Sequence, residues 1–140
     1  MIIVDTNTFS EPTNPRPNPH VLAWFHQQNF EDLYYTTTSL AETYVGIESM
    51  PSGRRKTALE NGTQELLEMF FGPRVLPFDE AAAKAYGPLV AHLIAKGEKP
   101  GFGDGQIAAI AYLHGFAVAT RDTAPFLAAG LEVINPWLAS

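Results

Sequence analysis

The chain has 140 residues, within the roughly 100–200 expected of one domain, so a second full domain is excluded on length. Hydrophobic residues make up 46% and charged residues 17%, enough to bury a core, and 9 basic against 15 acidic side chains leave a net charge of −6, which argues against coating nucleic acid through bulk positive charge. Cysteine is absent, which excludes disulfide scaffolds, thiolate metal sites and cysteine nucleophiles, and no stretch approaches the roughly 18 apolar residues of a spanning helix, so a soluble, cytoplasmic chain is expected.

Ile2-Ile3-Val4 is β-branched and apolar on successive residues, the pattern of a strand buried on both faces in a parallel sheet. Asp5-Thr6-Asn7 has cap or turn chemistry, and Pro12, Pro15, Pro17 and Pro19 then mark a loop that ends close to a helix start. Val21 to Phe25 has helical apolar spacing. Leu33-Tyr34-Tyr35-Thr36-Thr37 reads as a second strand, followed by a helix from Ser39 to about Met50. A further helix is expected from Arg54 towards Phe71, with an interruption near Gly62. Val75 to Phe78 is a short strand candidate. Asp79 caps a helix from Glu80 to about Lys96, which Gly87-Pro88 should kink or break. Gly97 to Gly105 reads as a loop, Ile107 to His114 as an Ala-rich central helix, and Phe116 to Thr120 as a strand. Pro125 to Leu127 belongs to a short helix and Val133-Ile134 to a last strand. Strands alternating with helices predict an α/β sandwich with a mainly parallel sheet.

Four carboxylates stand out, and each has a local explanation. Asp5 can cap the turn that follows the first strand. Ser39-Leu40-Ala41-Glu42 matches a capping box in which Glu42 reaches back to the cap amide. Asp104 can cap the Gln106–His114 helix, and Asp122 the Pro125 turn. Taken together they say more. In a parallel sheet the strand C-termini and the helix starts that follow them share one edge, and ligands bind there. Asp5, Glu42 and Asp122 all sit at such places, while Asp104 starts a helix that leads into a strand. Converging carboxylates repel one another unless a cation joins them, and Mg²⁺ or Mn²⁺ suits an all-oxygen donor set. Thr6, Asn7 and Thr120 can add neutral oxygens or donors around them. His20, His26, His92 and His114 lack metal-ligand spacing and read as surface or helix-end residues. Gly101 to Gly105 lacks the spacing of a nucleotide-binding loop, and Arg54-Arg55-Lys56, the one basic run, reads as a solvated helix start.

At these acids the sequence resembles a known family. Ile3-Val4-Asp5-Thr6-Asn7, Ser39-Leu40-Ala41-Glu42, Asp104-Gly105-Gln106-Ile107-Ala108-Ala109 and Ala119-Thr120-Arg121-Asp122-Thr123 are similar to the PIN-domain toxins of type II toxin–antitoxin systems. The VapC/FitB branch is also matched by Ser10-Glu11-Pro12, Gly53 to Lys56, Val75 to Asp79 and Asn135-Pro136-Trp137. The resemblance implies a single three-layer α/β/α domain over residues 1–140 and an acidic pocket of Asp5, Glu42, Asp104 and Asp122 that binds Mg²⁺ or Mn²⁺. It implies a homodimeric endoribonuclease toxin that hydrolyses RNA, is inhibited by a cognate antitoxin, and meets DNA only through that antitoxin. Gly103 and Gly105 flank Asp104 where small non-glycine residues are usual in the branch, which implies a looser hold on that ligand. Two alternatives stay open from the residues. One is a non-catalytic module whose acidic pocket receives a basic arm of a partner. The other is a phosphoaspartate-type phosphatase with Asp5 as nucleophile, for which Asn7 stands where a second Asp is wanted.

Overall fold

The computed structural model describes residues 1–138. Five strands form one parallel sheet: β1 (Ile2–Val4), β2 (Leu33–Thr36), β3 (Val75–Leu76), β4 (Ala117–Ala119) and β5 (Val133–Ile134), in the spatial order β3-β2-β1-β4-β5. β1 is central, with Ile2 opposite Leu33 on one side and Ala117 on the other. Its unbroken apolar run is explained by that place, since both faces and both edges are covered. Ile3 and Val4 face opposite ways, as the two-residue period of a strand requires. Ile3 joins a core with Val118, Phe126 and the Ile107–Ala111 run. Val4 joins a second core of Phe9, Val21, Phe25, Leu33, Tyr35, Phe70 and Phe71.

Seven helices supply the outer layers. α1 (Thr6–Ser10), α2 (Pro19–Gln27) and α4 (Arg54–Phe70) cover the Val4 face; α5 (Glu80–Ala95), α6 (Phe102–His114) and α7 (Ala124–Ala128) cover the Ile3 face. α3 (Thr37–Glu48) leaves the end of β2 and packs on both α1 and α6. The expected three-layer α/β/α sandwich is therefore present, and among the described residues no helix is long and apolar enough to cross a membrane.

Several boundaries differ from the sequence expectation. The Asp5-Thr6-Asn7 turn opens a five-residue helix, α1, followed by a 3-10 turn at Glu11–Thr13, so the proline loop starts later than expected. α3 begins at Thr37, not Ser39. Its cap is Thr36, whose hydroxyl accepts the Ser39 N–H at 3.0 Å. α4 runs through Gly62 without interruption. α5 continues through Pro88, which lies exposed on the solvent side, where the carbonyl that loses its helical partner is open to water. α6 begins at Phe102, inside the stretch expected to be a loop, with Gly101 as cap. Asp79 caps α5 as expected, accepting the Ala82 N–H at 3.0 Å. All four histidines are exposed.

The aromatic layer under the Val4 face separates core from surface along α4. Phe70 stacks on Phe25 at 4.6 Å and meets Phe30 and Phe71 edge-on, whereas its neighbour Met69 is 57% exposed. Phe70→Ala is expected to cost about 3–5 kcal/mol of stability, from lost transfer energy plus a cavity. Met69→Ala should stay within about 0.5 kcal/mol. Urea titrations of both variants, compared at their midpoints, check the contrast.

Candidate active site

The strand order reverses about β1, so β1 and β4 flank the switch point where α/β sheets open a crevice. Asp5 leaves the end of β1 and is buried at 6% exposure. It caps α1, accepting the Thr8 N–H at Oδ1 over 2.9 Å. Its own N–H donates to the Ala119 carbonyl of β4 at 3.1 Å. The Thr8 hydroxyl donates to the same carbonyl at 3.2 Å, so the two strand ends are tied together beneath the acid. Thr120, the first residue beyond β4, brings its hydroxyl near the Asp5 carboxylate, where it favours the charged form, and accepts the Asp122 N–H at 3.1 Å. One threonine thus positions two acids.

Asp104 lies in the first turn of α6. Its arrival at this edge follows from topology: a helix that feeds a parallel strand runs against the strand direction, so its start stands beside the strands' C-termini. Gly101 takes the cap position, which withdraws the expectation that Asp104 merely caps this helix. Asp122 gives α7 no side-chain cap either, since Thr123 holds that place. The Ser39–Glu42 capping box is also corrected. Glu42 lies beyond the first turn because the helix starts earlier, and it accepts the Thr6 hydroxyl at 2.9 Å instead. Ser39 Oγ is buried without a partner among the described residues. Asn7 is exposed, and its backbone carbonyl accepts the Ser10 hydroxyl and the Glu11 N–H, while its side chain forms no hydrogen bond among the described residues.

The four acids influence one another. Burial, then the charges of Asp5, Asp122 and Glu42, lift the Asp104 carboxyl from 3.8 to about 6. Asp5 is also raised, chiefly by burial, against hydrogen bonds from Thr120 and Thr8 that favour its charged form. Asp5, Glu42, Asp104 and Asp122 therefore share one electrostatic pocket, with Thr6 and Thr120 bonded to its members. Two residues missed in the sequence belong to its floor. Thr8 was hidden in an unforeseen helix. Tyr35, hidden in a strand that reads as core, stacks on Phe71 and hydrogen-bonds Thr43 at 2.8 Å, and burial raises its phenol above the ordinary range.

The flanking glycines have a steric reason. Both lie inside α6, where a β-carbon on Gly103 would stand 3.2 Å from Glu42 Oε2, and one on Gly105 would stand 2.9 Å from Tyr86 Cε2. Missing side chains here let α6 close on the carboxylate of α3 and on α5. Beside Thr6 and Glu42 a cleft of about 250 Å³ runs on past Ile47 to Leu59 and Thr63.

The donor set is all carboxylate oxygen, the preference of Mg²⁺ and Mn²⁺, and Asp104 is raised by burial first and by its acidic neighbours second. Among the described residues, no three potential ligands are gathered closely enough to grip one ion as they stand. Asp5 is pinned by its cap bond, while Asp122 and Glu42 are exposed side chains, so adjustment falls to those two.

A parallel α/β/α sandwich with an acidic pocket at its switch point defines the class. Residues 2–130 match the PIN domain, and the chain belongs to that family. It is 47% identical over 138 residues to the VapC ribonuclease Y4jK of Sinorhizobium fredii, covering 98% of each chain. To the toxin FitB of Neisseria gonorrhoeae it is 39% identical over 137 residues, covering 98% of this chain and 99% of FitB. A solved structure of FitAB bound to an IR36 DNA fragment superposes with a TM-score of 0.94 at 38% identity, covering 100% of this chain and 98% of that one. The resemblance read from the acidic motifs is borne out at the level of family and branch.

A carboxyl raised on folding keeps its proton longer in the native state than in the unfolded chain. Between its unfolded value near 4 and its native value near 6, Asp104 therefore makes stability fall as pH rises. In metal-free buffer the Tm is expected to decline from about pH 4 to just above pH 6. Asp104→Asn should flatten that decline and melt above the parent at pH 7, as thermal scans across pH will check.

Proposed function

We propose that the chain is a toxin that hydrolyses RNA phosphodiester bonds with Mg²⁺ or Mn²⁺. The observation that carries this reading is the gathering of Asp5, Asp104, Asp122 and Glu42 at the switch point of the sheet, where burial first and then the other three charges lift the Asp104 carboxyl. Relatives named VapC ribonuclease and toxin FitB, aligned over nearly the whole chain, supply the reaction class. In this reading Asp5, Asp104 and Asp122 hold the cation, with Glu42 completing the set. Bound there, the cation supplies the charge that draws a phosphate into an anionic pocket and makes water acidic enough to attack at neutral pH.

The chain's own residues do the positioning. The Thr8 amide fixes Asp5 at the end of β1, and with the Thr120 hydroxyl it favours the charged form that burial opposes. Thr120 also fixes the backbone of Asp122. Thr6 orients Glu42, the group best placed to take a proton from the attacking water because it is exposed and reaches the pocket from a third element. The phosphatase alternative loses support: Asp5 is engaged in a helix cap, and the exposed Asn7 offers no acid for a second proton transfer.

The proposal includes a homodimer and an antitoxin. Tyr112, Leu113 and Leu127 leave an exposed apolar surface on the α6 and α7 layer that suits a second copy. A groove of about 680 Å³ between the proline loop and α4, lined by Pro12, Met50, Leu59, Leu66 and Met69, suits the apolar part of an antitoxin. The acidic pocket suits an Arg or Lys from that antitoxin in competition with the metal. DNA is reached only through the antitoxin, in keeping with the FitAB relative on its DNA fragment.

Purified protein is expected to cleave single-stranded RNA with Mg²⁺ or Mn²⁺ and to stop in EDTA. Asp5→Asn should lower kcat by roughly 10²-fold or more, and Thr6→Val, which frees Glu42, by roughly 10-fold. No cleavage with either metal would transfer the weight to the binding-module alternative, and cleavage that survives both EDTA and Asp5→Asn would overturn the acidic pocket as the seat of the reaction.

A further inference from the structure

A pocket of four carboxylates on a chain of net charge −6 must still hold an anionic strand beside its cation, and the nearby basic side chains are few. Lys56 and Lys84 are engaged by Glu48 and Glu80. Arg74 donates to the carbonyls of Leu33, Phe30 and Phe70, and Lys96 to that of Ala128. Arg16, Arg54, Arg55 and Lys99 are exposed and, like Arg121, form no ion pair among the described residues; Arg121 differs from them in place and in pose. It sits between Thr120, which faces Asp5, and Asp122, so its backbone is fixed by the pocket itself. Its side chain is exposed, yet among the described residues it forms no ion pair with the neighbouring acids. Its guanidinium lies instead over the ring of Trp137, 5.4 Å from the centroid. Trp137 is itself held by packing on the Val4-side core and by its N–H to Asn135 Oδ1 at 3.0 Å.

We infer that Arg121, laid on Trp137, is a phosphate-binding residue for the RNA strand, taking a backbone phosphate next to the one that is cleaved. A guanidinium stacked on an indole keeps its charge and its in-plane N–H donors while losing rotational freedom. Less entropy is then lost when a phosphate binds, and the side chain is kept from collapsing onto Asp122, where it would neutralise a metal ligand. A contact to backbone phosphate carries affinity and register but no base preference. The inference rests on the ribonuclease reading for its substrate, and it adds a residue that touches the substrate outside the acidic set.

The test joins kinetics to equilibrium binding. Arg121→Ala is expected to raise KM for a single-stranded RNA about tenfold with kcat within twofold, and Arg121→Lys to recover part of the loss. Binding of a fluorescent single-stranded RNA is measured separately in the Asp5→Asn background across a salt series. There Arg121→Ala should reduce the slope of log affinity against log salt by about 0.7, the value of one phosphate contact on a single strand. Trp137→Phe, which keeps a ring beneath the guanidinium, should fall between the parent and Arg121→Ala. Unchanged KM and salt slope with a lowered Tm would overturn the inference and make Arg121 a strap for the C-terminal segment. Unchanged RNA parameters with weakened antitoxin binding would overturn it in favour of a partner contact. If the parent cleaves no RNA, the ribonuclease reading fails while the salt series still decides this one; if it binds no RNA either, both fail.

Discussion

Negative charge crowded at one edge of the sheet is the constraint from which the rest of the arrangement follows. Four carboxylates from β1, α3, α6 and the turn after β4 reach one pocket, and Asp104 shows the strain as a carboxyl lifted to about 6. Such crowding is tolerable only because donors are built around it. The Thr8 amide at the start of α1 and the Thr120 hydroxyl face Asp5, and Asp104 sits in the first turn of α6, where a helix dipole favours an anion. The protein thus holds its acids together at a cost to its own stability, the usual relation between a site and the scaffold beneath it.

The sheet serves that site by being short and fully parallel. Among the described residues no strand exceeds four residues, so β1 contributes little beyond a buried axle, and the helix starts and strand ends meet within one or two residues of it. The tie between Asp5, Thr8 and the Ala119 carbonyl joins the central pair of strands where the chain turns from scaffold to chemistry. Below it the stacked rings of Tyr35 and Phe71 carry the floor into the core.

Much of this was legible. Ile2-Ile3-Val4 declares a buried parallel strand by composition alone, and alternating elements declare the layers. The four acids were found because strand ends in a parallel sheet share an edge, a rule of topology that needs no coordinates. Details set by competition between neighbours were not legible. Thr36 and Ser39 are both good caps, and Thr36 wins because it ends a strand with its hydroxyl facing the next turn. A five-residue helix such as α1 leaves no periodicity, and its stability comes from the Asp5 cap and the burial of Phe9. Three glycines argue against a helix start at Phe102 by propensity, and tertiary contact overrides them. Thr8 and Tyr35 read as ordinary core until the chain is folded.

Gly105 carries no side chain, yet it sets how closely α6 lies on α5. The gap between α5 and α6 is so narrow there that one methyl group would meet the Tyr86 ring, and Asp104 rides on the same turn of helix. The approach of α6 to α5, and with it the placing of Asp104, is therefore gauged by an atom that is missing. Two chains of this kind could share every acidic residue and still hold them at different spacings, because the difference would lie in a position with no chemistry of its own.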